Sequence, residues 1–366
     1  MWKYITDQLG LDMQAVLKEK DGGKHAGISL LAKWMPTETA HAKDTRILAK
    51  RAMHALGVTP RQYRKMLSAL RAHLKVVESL MSAGKWDEVD YPAVPSYAMK
   101  NYRKAFGAHD NARFGEYIAS LNKGETKINA STLFPYDLVH QYMSRGRTLD
   151  PIVEAQWKAL PNYVPENSNI LVMADVSGSM CGRPMETSIG LATYFAQHAV
   201  GDYHGLYMTF TDKPHFIDIS GKTTLASCVD YVMHKDVGYS TNLDKAFEYL
   251  LNHALEHRIT NDDMPKALVV ISDMEIDPYF RGRRNMDFVQ KWKTEFARHN
   301  LVCPKLVMWN VEARNDTFLS QSDDVVLVSG QSASTFRNLC QSLGGKTAWE
   351  FMCEVLNDPM YDCVVI

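Results

Sequence analysis

The residues with the plainest chemical capacity are Asp175, Ser177 and Ser179, in the stretch Asn169–Met180, NILVMADVSGSM. One carboxylate and two hydroxyls alternate there, directly after the apolar run Ile170–Ala174. Small oxygen donors suit a hard divalent cation such as Mg²⁺, which takes six oxygens in octahedral geometry and keeps some waters. The apolar run has no polar alternation and so reads as a strand buried on both faces. The end of such a strand is where open α/β sheets place their ligands.

Two other segments offer matching oxygens. Gly238–Asn242 (GYSTN) precedes a helix whose apolar face includes Leu243, Ala246, Phe247 and Leu250, and the apolar run Ala267–Ile271 ends in Ser272-Asp273. A serine-rich turn after a strand can also simply cap the next helix. The order DxSxS, then Thr241, then Asp273, each at an element boundary, points instead to a metal site. Ser240 is an alternative donor to Thr241. Glu275 and Asp277 read as solvated loop charges rather than a second metal site.

The elements that must position these residues are strands alternating with helices. Strands are expected at Ile170–Asp175, Gly205–Phe210, His215–Ile219, Lys266–Ser272, Lys305–Asn310 and Asp324–Ser329. Helices are expected at Met185–Ala199, Thr224–Met233, Leu243–Glu256, Met286–His299, Ala333–Leu343 and Ala348–Asn357. This is the pattern of a doubly wound, mostly parallel sheet. His215–Ile219 follows the preceding strand so closely that it is expected as an antiparallel edge.

Before Pro161–Ser168 (PNYVPENS), read as a linker, the pattern is helical from Ile28 to Met143. Arg61–Met81 carries Tyr63, Met66, Leu67, Leu70, Leu74, Val77, Leu80 and Met81 at helical spacing, with Thr59-Pro60 as its N-cap and first residue. Further helices are expected over Asp44–Leu56, Ser96–Phe106, Ala112–Leu121 and Pro135–Ser144. The chain therefore divides into a helical domain, 1–165, of α-solenoid type, and an α/β domain, 166–366.

Charge supports the division. Residues 1–165 hold 24 Lys/Arg against 16 Asp/Glu, whereas the remainder holds 17 against 26. Between Lys43 and Lys75, nine Lys/Arg face one acid, Asp44. Lys43, Arg46, Lys50, Arg61, Arg64, Lys65, Arg71 and Lys75 are the candidate phosphate contacts, with Arg64, Arg71 and Lys75 on one helical face. A solvated face, or docking against the acidic half of the chain, would use the same charges. Tyr97, Tyr102 and Phe106 beside Lys100, Arg103 and Lys104 could stack bases or simply form core.

All six cysteines lie after residue 180, without a CxxC pair, as expected of reduced thiols in a cytoplasmic protein. No apolar run has the length of a membrane span, and the N-terminus lacks the layout of a signal peptide.

The metal motif, on alternating strands and helices from Ser168 to Leu356, resembles the von Willebrand factor A domain and its metal-ion-dependent adhesion site. That resemblance implies direct ligation by Ser177, Ser179 and Thr241, with Asp175 and Asp273 acting mainly through water. It also implies an open coordination position that a partner's carboxylate can fill. A helical region ahead of such a domain resembles the Ro autoantigen (TROVE) family. The closer likeness is to an uncharacterised relative of that family carrying LAKWMPTE (Leu31–Glu38), YRKMLSALR (Tyr63–Arg71), VPSYAMKNYRKAF (Val94–Phe106), SDMEID (Ser272–Asp277) and an LNDPMYD-like tail (Leu356–Asp362). The resemblance implies HEAT-like helical repeats that handle single-stranded RNA ends or small structured RNA. With only some 160 residues ahead of the A domain, an open arc is expected, or one completed by another subunit. A non-catalytic ribonucleoprotein component is the expectation, with a protein-docking module lacking RNA as the alternative. Asp273 or Glu275 could serve as a base in metal-assisted hydrolysis, but no nucleophile elbow or P-loop accompanies them, and His253/His257 read as ordinary helix-surface residues.

Overall fold

Six apolar runs pair into one sheet in the order 216–218, 206–209, 170–174, 267–272, 305–310 and 325–329. The computed structural model describes residues 2–20, 27–144, 148–164, 169–211, 213–234, 242–274, 284–312, 325–343 and 348–359. Its helices before the sheet are α1 (Trp2–Lys20), α2 (Leu31–Trp34), α3 (Lys43–Leu56), α4 (Pro60–His73), α5 (Val77–Ser82), α6 (Ser96–His109), α7 (Asn111–Asn122), α8 (Pro135–Ser144) and α9 (Pro151–Lys158). The sheet strands are β1 (Ile170–Ala174), β2 (Leu206–Thr209), β3 (Phe216–Asp218), β4 (Ala267–Ser272), β5 (Lys305–Asn310) and β6 (Val325–Ser329). Interleaved with them are α10 (Arg183–His198), α11 (Leu225–Met233), α12 (Leu243–Glu256) and α13 (Arg284–Arg298), followed by α14 (Ala333–Leu343) and α15 (Ala348–Leu356).

Packing separates the chain into two units, Met1–Val94 with Asn101–Tyr117, and Pro95–Lys100 with Ile118–Ile366. The expected boundary at 165/166 therefore falls inside the second unit, because α8 and α9 pack with the sheet helices α10 and α11. Nor is Pro161–Val164 a free linker: the Tyr194 hydroxyl donates to the Pro161 carbonyl (2.7 Å), and Val164 is buried in the sheet's core.

All six expected strands form, and β3 pairs antiparallel with β2 while every other pairing is parallel. Side chains of β1 and β4 alternate between two cores, as the two-residue period of a strand requires. Ile170, Val172, Ala174, Ala267, Val269 and Ile271 face a core shared with α8–α11 and α14. Leu171, Met173, Leu268 and Val270 face one shared with α12 and α13. Gly205, at φ 76°, opens β2 where an added Cβ would lie 2.8 Å from Ser220 Cβ.

In the first unit, Leu9, Val16, Ala32, Met35, Ala52, Met53, Tyr63, Leu67 and Leu70 form one core. Tyr91 stacks with Tyr117 and meets Phe106 edge-on in an aromatic knot. The helix expected over Arg61–Met81 is two helices. The chain turns at Lys75, with φ 47°, where the Val76 N–H donates back to the Arg71 carbonyl. The N-terminal helix α1, absent from the sequence reading, supplies Leu9 and Val16 to the core.

Candidate functional site

Parallel register decides what the strand ends can do. Ala174 lies beside Ile271, and the Asp175 N–H donates to the Ile271 carbonyl at 3.0 Å, so the chain leaving β1 runs alongside Ser272-Asp273 leaving β4. Asp175 and Asp273 are each 1% exposed. The Ser272 hydroxyl donates to Asp175 Oδ2 at 2.6 Å, and the Ser177 N–H donates to Asp175 Oδ1 at 2.9 Å. Ser177 and Ser179 Oγ lie 3.1 Å apart on partly exposed residues at the mouth of this arrangement.

Burial pushes the Asp175 carboxyl above its ordinary range; hydrogen bonds from Ser272 and Ser177 oppose this, and the charge of Asp273 adds to it. Beyond Asp273 the backbone takes a left-handed turn at Met274 (φ 61°), held by its N–H donating to Ser272 Oγ at 3.1 Å. Sparsely populated backbone of this kind is costly for a residue with a side chain and collects at functional sites.

Of the five residues expected to hold metal, four thus converge at the ends of two adjacent strands. Thr241 lies outside the described residues, as do Ser240, Glu275 and Asp277. Asn242 caps α12, its Oδ1 accepting from the Lys245 N–H at 3.0 Å. Ser272 is the residue the sequence reading named without giving it a task. Its place one residue after Ile271, the register partner of Ala174, is the signal that marks it. Among the described residues, no three His, Cys, Asp or Glu side chains form a metal cluster. Two carboxylates and two neutral hydroxyls nonetheless match the oxygen preference of Mg²⁺, with Ser272 orienting Asp175 from behind.

The cationic candidates divide differently. Arg71 donates from Nε to the Ala32 carbonyl (3.0 Å) and from Nη2 to the Met35 carbonyl (2.8 Å). Arg46 donates to the carbonyls of Ala40 and His41, and Arg64 pairs with Glu38. These three arginines are engaged by the fold. Lys43, Lys50, Arg61, Lys65 and Lys75 are exposed. Much of the aromatic group near residue 100 is core: Phe106 is fully buried, Arg103 is buried, and Lys100 forms a buried pair with Asp137 (2.9 Å) that also receives the hydroxyl of Tyr97, whose ring is exposed.

Comparisons with other proteins divide the chain near residue 170, not at the boundary of the packing units. Residues 48–170 match a family described as a domain of unknown function (DUF2828). Residues 169–349 match a second, also a domain of unknown function (DUF7788). The two matches meet at the start of β1. "Uncharacterized protein L728" of Acanthamoeba polyphaga mimivirus is 32% identical over 355 residues, covering 92% of this chain and 61% of that protein. The chain thus spans about three fifths of the length of the curated relative it matches. Among solved structures, the crystal structure of Deinococcus radiodurans RO (RSR) protein is similar at 18% identity and a TM-score of 0.46, over 88% of this chain and 75% of that one. No described helix is long and apolar enough to cross a membrane.

Proposed function

We propose that this chain is a non-catalytic, cytoplasmic ribonucleoprotein component of Ro-like organisation. Its sheet unit acts as a von Willebrand factor A-type domain, with Asp175, Ser177, Ser179, Thr241 and Asp273 holding Mg²⁺. Its helical region, an open arc of HEAT-like repeats, holds RNA. The observation that carries the docking half is the meeting of Asp175, Ser177 and Ser179 with Ser272-Asp273 at the ends of adjacent parallel strands. Neutral hydroxyl ligands leave much of the ion's charge uncompensated, so a carboxylate from a partner completes the shell. The RNA half is supported by exposed cations of the Lys43–Lys75 window, Lys43, Lys50, Arg51, Arg61, Lys65 and Lys75 among them, and by the resemblance of the chain's organisation to the Ro family.

A protein-docking scaffold without RNA is the second reading, favoured by the three arginines of that window that the fold already uses. Filter binding of RNA to the full chain at several salt concentrations separates the two. Affinity that falls steeply with salt supports the first reading, and no binding at low salt leaves the second. For the docking half, recovery of protein partners from native cells should be lost both in chelator and in Asp175→Ala. Recovery unchanged by either treatment refutes it.

A further inference from the structure

The stretch Leu31–Glu38, LAKWMPTE, has no part in the metal site, yet the first unit spends unusual effort holding it. Just before it, Asp12 accepts from the Ser29 N–H (3.1 Å) and hydroxyl (2.5 Å). Arg71 grips the Ala32 and Met35 carbonyls, the Tyr63 hydroxyl donates to the Pro36 carbonyl (2.9 Å), and Arg64 pairs with Glu38. Ala32 and Met35 are buried. In the middle of this pinned strap Trp34 is 75% exposed, more than any other large apolar side chain among the described residues. An indole left in water forgoes a large burial gain, and the fixed backbone keeps it from turning inward.

One cation flanks this platform, and others lie on the helix that holds the strap. Lys33 Nζ lies 5.5 Å from the centroid of the Trp34 ring. Arg64 and Arg71, which hold the strap, share a stripe along α4 with Arg61, which is exposed, as is Lys65; Lys75, expected on the same helical face, lies past the end of α4 in a left-handed turn. A flat, rigid, accessible ring beside positive charge fits a ligand that alternates π-faces with phosphates.

We infer that Trp34 is a stacking platform for a nucleobase of single-stranded RNA, with Lys33 and the exposed cations of α4 taking the adjoining phosphates. The inference rests on the RNA reading above and names its contact. Charge complementarity favours this occupant over an apolar peptide, which would use Trp34 and the exposed Leu30 but not the lysines.

The test is fluorescence anisotropy of a labelled oligoadenylate, titrated with the full chain at a series of salt concentrations. Wild type is compared with Trp34→Ala, Trp34→Phe and Lys65→Ala. Trp34→Ala should weaken binding by about tenfold, the size of one lost base stack, with its salt slope unchanged because no phosphate contact is lost. Trp34→Phe should fall between, and Lys65→Ala should flatten the slope. Thermal melts of the Trp34 variants should match wild type, since the ring is in solvent. If wild type binds with a steep salt dependence and Trp34→Ala binds equally well, the stacking site is overturned while the RNA reading stands. Equal RNA binding together with lost binding of an apolar dye would assign the ring to a protein partner, again overturning it. If wild type binds at no salt concentration, both fall.

Discussion

The strand ends of the sheet unit and the α3–α5 surface of the helical unit were both marked by chemistry-bearing residues in sequence, and folding treats them differently. At the sheet, Asp175, Ser177, Ser179 and Asp273 come together, because parallel pairing of β1 with β4 brings two strand ends to the same edge. On the helices, Arg46, Arg64 and Arg71 bond to backbone carbonyls and to Glu38, the first two while still exposed, and Lys43, Lys50, Arg61, Lys65 and Lys75 face solvent. Position along a strand predicts where a side chain goes. Charge along a helix does not say whether the fold has already used it, and arginine, with its planar fork of five donors, is the residue most readily used.

The comparison is broken most severely by changing the frame of the sheet. Gly205→Val introduces a Cβ against Ser220 at a left-handed φ, and should lower stability to urea by about 3 kcal/mol or more. A loss under about 1 kcal/mol would mean that the β2–β3 edge yields easily. Within the helical unit, Arg71→Ala should cost about 2 kcal/mol, because two partly buried carbonyls lose a charged donor. Lys65→Ala should stay within about 0.5 kcal/mol. Equal costs for the two variants would erase the distinction between engaged and exposed cations. At the sheet edge, the double variant Ser177→Ala, Ser179→Ala should change stability by less than about 1 kcal/mol, since both residues are partly exposed. It should, however, lose the rise in melting temperature that Mg²⁺ confers on wild type.

The smallest effect is one of pH. Burial first, and His257 second, hold the His253 imidazole below its ordinary value of 6.5. The unfolded chain therefore binds the proton more readily, and stability should decline as pH falls through 6.5 toward the lowered value. His253→Gln should flatten urea midpoints across that window, and an unchanged slope would show that His253 is not the group responsible.

The sheet was legible because its strands are continuous apolar runs and its edge strand is forced by a short connection. Asp175 and Asp273 were legible as candidates because each sits one or two positions beyond such a run, and Ser177 and Ser179 because they alternate with Asp175 on the turn that follows it. Ser272 as the partner of Asp175 was not, because register between β1 and β4 is set by tertiary pairing rather than by either segment alone. In the helical unit, the apolar period ran unbroken through Leu74 and Val77, hiding the left-handed turn at Lys75. Periodicity records which face is apolar, not whether the backbone stays helical. The division into units was also hidden: α8 read as a helix like those before it, α9 was not expected at all, and only their packing on α10 and α11 joins them to the sheet.

The central claim is that the ends of β1 and β4 hold one divalent cation. Mn²⁺, a stand-in for Mg²⁺ whose free ion gives a paramagnetic resonance signal, tests it directly when titrated into the full chain. The account predicts loss of signal to one ion per chain, displacement of that ion by Mg²⁺, and no such uptake by Asp175→Asn. A wild-type chain that leaves the free-ion signal undiminished, or an Asp175→Asn variant that binds as tightly as wild type, would contradict it.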